Sequence, residues 1–337
     1  MKTPICDFVS QYAQSHTTRL HMPGHKGKCY TGGEAFDITE IKGADSLYEA
    51  EGIIAESEAN ASFTFGCKTF YSAEGSSLSI RAMLYLTLLY AKSKGQKPLI
   101  FAGRNAHKVF INSASLLDFE IKWLYPKENS SYLSCNITPN ELETELKTAE
   151  ALPTAVYITS PDYLGNVSDI KAISAVCKKY GVLLIVDNAH GAYLRFLSPS
   201  LHPIELGADM CCDSAHKTLP VLTGGAYLHV SNSLPSFFKD NAKKAMALFG
   251  STSPSYVIMQ SLDKVNPYLY KEYPAILSGF LKKLDNLKST LTDYGYTFVG
   301  NEPLKLTFDT KKFGYTGDSL ADILRSFNLE CEFSDPD

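Results

Sequence analysis

Between residues 76 and 230, short apolar runs alternate with longer stretches in which apolar side chains recur at helical spacing. The runs are PLIFA at 98–102, IKWLY at 121–125, AVYIT at 155–159, VLLIVD at 182–187 and GGAYLHV at 224–230. Each is short and rich in β-branched or aromatic residues, which predicts buried strands. Segments 76–94, 139–150 and 168–180 carry the period of amphipathic helices. The last of them is followed by Gly181, suited to the left-handed turn that ends a helix. Strand and helix in alternation predict an α/β fold, a three-layer domain with a mostly parallel sheet covered on both faces.

The flanks read differently. Residues 1–60 form an N-terminal arm rich in Gly, Pro and His around HMPGHKG at 21–27, expected to be irregular. Residues 61–272 make the major domain, and 273–337 a smaller C-terminal α+β domain. In the latter, helical patterns run through 294, PLKLTF at 303–308 predicts a strand, and 317–328 a further helix. The sequence closes on ECEFSDPD where another strand is expected, so this domain reads as shortened. No internal repeat or low-complexity segment interrupts the pattern.

Composition narrows the function classes. A length of 337 residues, with 45% hydrophobic and 20% charged, suits a globular protein of about two domains. The net charge of -4, from 32 Lys+Arg against 36 Asp+Glu, leaves no basic surplus for a phosphate backbone, which excludes nucleic acid as the expected partner. Eight cysteines without a CxxC pair show neither zinc-ligand spacing nor a disulfide framework, so no metal site and a reducing cytoplasm are expected. MKTPICDFVSQYAQSH has no apolar signal region, and no stretch offers the ~18 apolar residues of a membrane span. A soluble, unprocessed protein with no membrane partner is the expectation.

Ligands of open α/β sheets bind beyond the carboxyl ends of the strands, so the polar residues there carry the candidate chemistry. VLLIVD ends in Asp187, and DSAHKT places Lys217 among Ser214, His216 and Thr218. A lysine can condense with the aldehyde of pyridoxal 5'-phosphate, a carboxylate can keep its pyridine nitrogen protonated, and hydroxyls at a helix start can hold its phosphate. Taken singly, Asp187 reads as a loop acid and Lys217 as a surface lysine; in this order they favour the cofactor. Gly75, Ser76 and Ser77 precede a predicted helix, where backbone N–H groups and hydroxyls converge on one anion, although a serine cap alone has the same appearance. His107, in GRNAHK at 103–108, follows the strand PLIFA and can lie flat on a pyridine ring; a lone histidine is otherwise a satisfied, partly buried side chain. GxGxxG and GxxxxGK[ST] do not occur, against a dinucleotide or nucleoside triphosphate.

HMPGHKG, FDITE at 36–40, EGSS, GRNAHK, ITSPDYLGNVSDI at 158–170, VDNAHGA, SAHKT and GSTSPSY at 250–256 follow in this order. Over residues 20–270 the chain thereby resembles the major domain of the ornithine/lysine/arginine decarboxylases, especially the shorter bacterial members. The resemblance implies the fold-type I, aspartate-aminotransferase architecture and loss of carbon dioxide from a basic amino acid, with arginine favoured over lysine and ornithine. It implies that Lys217 forms the Schiff base with pyridoxal phosphate, that Asp187 pairs with the ring nitrogen and that His107 stacks on the ring. Ser76, Ser77 and Ser214 would contact the phosphate, with Ser251 and Thr252 reaching over from a neighbouring subunit, hence a homodimer with shared sites. His216 or the freed Lys217 would return a proton, and His190 would orient ring or substrate or serve structurally. Asp37, Glu40 and Asp45 are candidates for the distal cation of the substrate. One departure is Glu74, where the family usually has asparagine; its charge beside a dianion would weaken phosphate binding. An aminotransferase or β-eliminating lyase on the same fold, or a noncatalytic subunit, are the alternatives.

Overall fold

The computed structural model of the chain describes residues 1–126 and 133–336. Helices α1 (Pro4–Gln14) and α2 (Ile53–Phe65) lead into strand β1 (Lys68–Ser72) and helix α3 (Gly75–Ser93). There follow β2 (Leu99–Gly103), α4 (Lys108–Leu117), β3 (Glu120–Leu124), α5 (Pro139–Lys147), β4 (Ala155–Thr159), α6 (Ile170–Tyr180) and β5 (Leu183–Asp187). Next come β6 (Met210–Asp213), the single-turn α7 (Ala215–Thr218), β7 (Ala226–Val230), α8 (Ser236–Ala247), α9 (Tyr256–Lys271) and α10 (Tyr273–Asp293). The small end carries β8 (Phe298–Val299), β9 (Thr307–Phe308) and α11 (Gly317–Ser326).

The seven-stranded sheet has the order β1-β7-β6-β5-β4-β2-β3. From β3 through β6 the strands are parallel, and β7 runs antiparallel to both β6 and β1. Strand β5 shows why both faces need cover. Leu183 and Ile185 pack into the cluster of Met83 and Phe238 from α3 and α8, whereas Leu184 and Val186 join Leu142 and Ile173 from α5 and α6. A third cluster seats α1, α2 and α9 against Tyr71 and Tyr227 of β1 and β7. All five apolar runs are strands, as expected. Two more, β1 and β6, were not: KTFYS and MCCD are short and lack a β-branched run.

The N-terminal arm is not irregular throughout, which corrects the expectation. Helix α1 has Pro4 in its first turn and buries Ile5 and Val9, one turn apart. Helix α2 buries Ile54, Ala61 and Phe65 and stops at Gly66, whose φ of 73° suits glycine. Apart from Pro4, the Gly and Pro content that suggested irregularity lies in the segment between them. Asp45 lies there, expected as a substrate-binding acid. Its carboxylate instead accepts N–H groups of Ser46, Glu51, Gly52, Ile54 and Ala55 at 2.8 to 3.3 Å, closing the start of α2. Although partial burial opposes it, those donors hold its carboxyl below the usual value. Asp45→Ala is therefore expected to cost about 1–2 kcal/mol, as loss of a helix cap does. The stabilisation conferred by the Asp45 carboxylate is full above the ordinary carboxylate range and lost as pH falls through its lowered folded value. Denaturant melts of wild type and variant at pH 7 and at successively lower pH below the ordinary carboxylate range check both the size and the convergence.

At the small end, β9 covers only 307–308 of the strand expected at 303–308. The preceding backbone is bound to the major domain: Asn301 and Glu302 donate to the Gly165 carbonyl at 2.8 Å, and Leu304 donates to Tyr193 Oη at 3.4 Å. Among the described residues no helix is long and apolar enough to cross a membrane, and the eight cysteines are unbridged.

Candidate functional site

The parallel strands β2, β4, β5 and β6 end along one edge of the sheet, and the residues that follow them meet there. Asp187 closes β5, 2% exposed. Tyr157 Oη, from β4, donates to Asp187 Oδ2 at 3.0 Å, and the Ala189 N–H donates to Oδ1 at 3.2 Å. Burial and then the Asp187 carboxylate push the Tyr157 hydroxyl well above its ordinary range, so it stays a donor. Lys217 sits in α7, directly after β6, with Nζ 3.0 Å from His190 Nε2. Desolvation in the cleft lowers its ammonium pKa, with Asp187 pulling the other way. His190 is pushed down to about 3 by burial first and Lys217 second, so it is a neutral acceptor for the lysine. An amine kept partly desolvated against a neutral imidazole is biased toward its nucleophilic form.

His107 caps α4, its Nδ1 accepting the Val109 N–H at 3.3 Å. That fixes the ring and leaves Nε2 for the proton. Burial lowers its pKa, opposed by Asp187 and aided by Lys217, so both reach it electrostatically. Ser214, between β6 and α7, donates through Oγ to Ser76 Oγ at 2.8 Å, joining two of the expected hydroxyls. Ser77 follows in the first turn of α3. His216 points its Nδ1 at the Gly225 carbonyl, 3.0 Å away.

Gly75 corrects an expectation. Its N–H is not open to an anion, because it donates to the Gly224 carbonyl at 2.7 Å, and its φ of 71° serves this sharp entry into α3. Glu74 turns its carboxylate to the Ser251 N–H, at 2.6 Å, which brings the 250–253 segment to the start of α3 within one chain. The remaining two expected acids are also engaged, Asp37 with His25 Nε2 at 3.3 Å and Glu40 with Ser46 Oγ at 2.8 Å.

The sequence did not reveal Tyr157, which reads there as one more apolar position of AVYIT. Nor did it reveal the mouth of the site. Tyr163 meets His190 edge-on at 5.5 Å and Phe333 at 4.9 Å, while Lys305 Nζ donates to the Tyr163 carbonyl at 3.2 Å. Tyr163 lies within ITSPDYLGNVSDI, a signal too unspecific to assign it a contact.

The residues fit pyridoxal phosphate. A partly desolvated amine, a buried acid, a flat neutral imidazole and a hydroxyl pair at a helix start lie along one sheet edge. Asn105 Nδ2 and Thr218 Oγ1, in the segments that carry His107 and Lys217, and Thr159 Oγ1, on β4 opposite Asp187, are buried without a hydrogen-bond partner. Glu74 is the discordant group. Like charges at ~4 Å repel by about 1 kcal/mol even in a water-like dielectric, worth several-fold in Kd. Glu74→Gln, whose amide oxygen still accepts the Ser251 N–H, is expected to tighten pyridoxal phosphate several-fold while leaving pyridoxal, which lacks the phosphate, unchanged. Equilibrium titrations of both compounds check it.

The family described as Orn/Lys/Arg decarboxylase, major domain, matches residues 3–293. The chain is 31% identical to the uncharacterized protein YaaO of Bacillus subtilis (strain 168), across 99% of its own length and 72% of that protein's. It is 28% identical to the arginine decarboxylase of the same organism, again over 99% and 72%. The Francisella novicida lysine decarboxylase superposes with a TM-score of 0.70 at 19% identity, covering 86% of this chain. The chain spans 44% of that enzyme, so this likeness speaks for the fold alone.

Proposed function

Because the chain belongs to the Orn/Lys/Arg decarboxylase family, we propose that it releases carbon dioxide from a basic amino acid, using pyridoxal 5'-phosphate attached at Lys217. The observation that carries the reading is the joint placement of Lys217, Asp187 and His107 at one sheet edge, with Lys217 held against neutral His190. When bound there, the cofactor supplies an aldehyde that captures the substrate amine and a conjugated ring that accepts the electrons of the breaking bond. Asp187, oriented by Tyr157 and the Ala189 N–H, would hold the proton on the ring nitrogen. His107 would present its flat face to the ring. Ser76, Ser77 and Ser214 would hold the phosphate, and the first turn of α3 favours its charge. Lys217 can move a proton at the substrate carbon because desolvation brings its amine closer to neutrality. His216 is the second candidate for that proton.

The substrate we favour is arginine, in keeping with the arginine decarboxylase among the relatives. Residues 61–272 would be the cofactor-binding unit. We place the protein in the cytoplasm, consistent with its unbridged cysteines. It would act as a homodimer; since Ser251 lies beside the start of α3 of its own chain, the reach of Ser251 and Thr252 to the partner's phosphate would require the two phosphate sites to adjoin across the interface.

The test is an absorption spectrum after addition of pyridoxal phosphate, then a screen of arginine, lysine and ornithine for carbon dioxide. A visible band with release of carbon dioxide and the matching amine is expected. A keto acid in place of carbon dioxide would make the protein an aminotransferase, and a cofactor-loaded protein inert toward all three would make it a noncatalytic subunit.

A further inference from the structure

Behind the Asp187 turn lies a buried polar cluster that the chemistry above does not use. Asp213, the last residue of β6, is fully enclosed, as are His202 and His229. Its Oδ2 accepts from His202 Nε2 and from His229 Nε2, each at 3.1 Å. Its Oδ1 accepts the Asn188 side-chain N–H at 2.6 Å. Against the cost of burial, the two imidazoles hold the Asp213 carboxyl well below its ordinary range. A charge so enclosed is a poor way to stabilise a core, since apolar residues of similar volume serve as well or better. Among the described residues, His202, Cys211 and Asp213 form a group with metal-ligand chemistry, their atoms within 4.8 Å. Hydrogen bonds, however, already occupy both Asp213 oxygens.

What the carboxylate does is orient Asn188. The reversed amide would face oxygen to oxygen, so the negative charge selects one orientation. Asn188 is pinned on its other sides as well. Its N–H donates to the Cys212 carbonyl at 3.0 Å, and its carbonyl accepts the Gly191 N–H at 2.8 Å. Its side chain fills the inside of this turn so fully that a Cβ on Gly191 would lie 2.0 Å from Asn188 Oδ1. The turn begins at Asp187 and carries His190, the partner of Lys217.

We propose that Asp213, braced by His202 and His229, is a positioning residue that locks Asn188 and thereby the turn presenting Asp187 and His190 to Lys217. The inference rests on the pyridoxal phosphate reading. Three substitutions attack the link from different sides. Asp213→Asn removes the charge, Asn188→Ala removes the amide and leaves the cluster intact, and Gly191→Ala presses on the amide from inside the turn. The readouts are the Kd for pyridoxal phosphate and the circular dichroism of its visible band, which reports ring orientation, both taken well below each variant's Tm.

Each variant is expected to weaken the cofactor about tenfold, as loss of a charge-assisted hydrogen bond would, and to alter the dichroic band. The Asp213→Asn/Asn188→Ala double variant should bind no more weakly than the worse single, because one link is broken either way. An Asp213→Asn protein with lowered Tm but unchanged Kd and dichroism would reduce the cluster to a stabilising role and overturn the inference. So would additive losses in the double variant, or stoichiometric metal in the purified protein. If Asp213→Asn does not fold, Asn188→Ala and Gly191→Ala decide the matter. A wild-type protein without a visible band overturns the functional reading and this inference together, whereas a wild-type band that the folded variants reproduce overturns only the inference.

Discussion

Lys217→Ala is expected to abolish the visible band of the protein with bound pyridoxal phosphate, and borohydride should then fix no pyridoxyl group to the chain. In the wild type the same treatment is expected to attach it at Lys217 Nζ, which peptide mass analysis checks. Turnover is expected to fall by on the order of 10³-fold or more, since one substitution would remove both the proposed attachment point of the cofactor and a group proposed to move the substrate proton. Folding should be spared. The Lys217 side chain opens into the cleft, its hydrogen bond is to His190, and substitutions at exposed positions usually change stability by less than about 0.5 kcal/mol. A pyridoxyl group found on another lysine would transfer the assignment there.

The second large effect is that of Asp187→Asn. The amide oxygen can still accept from Tyr157 Oη, so local geometry and cofactor binding are expected to persist. What is lost is the charge that would keep the ring nitrogen protonated. A rate loss on the order of 10³-fold, about 4 kcal/mol of transition-state stabilisation, is expected from single-turnover measurements. Near wild-type turnover would remove Asp187 from that role.

Both residues were legible because each stands at a break in the apolar pattern. VLLIVD could end only where the strand leaves the core, and the buried run fixes Asp187 at the rim. DSAHKT likewise announces Lys217 after β6, although the strand itself, MCCD, lacks a strand's usual residues. What stayed hidden depends on contacts between distant segments. The edge strand β1 pairs with β7, Lys68 opposite Val230, and nothing in KTFYS signals that partner. Gly75 looked like an anion-binding glycine, yet its N–H is taken by Gly224. Asp45 is a candidate substrate acid because the resemblance places its arm near an active site, but five nearby backbone donors claim it. Asp213 was in plain view inside DSAHKT, and only the fold brings His202 and His229 to it. Strand-end chemistry follows from hydrophobic patterning, whereas hydrogen-bond partners across the sheet do not.

The assembly of the site from separate strand ends has a thermodynamic corollary. Ser76 follows β1, His107 follows β2, Asp187 closes β5 and Lys217 follows β6, so the complete constellation exists only when the sheet has formed. An unfolded chain offers isolated lysines but not this constellation, so a ligand that needs all four segments binds the native state almost exclusively. Mass action then couples occupancy to global unfolding. At a free concentration 100 times its Kd, such a ligand stabilises the whole fold by about 2.7 kcal/mol. The melting temperature of this chain is in that sense a titration curve for its own ligand, readable without any assay of turnover.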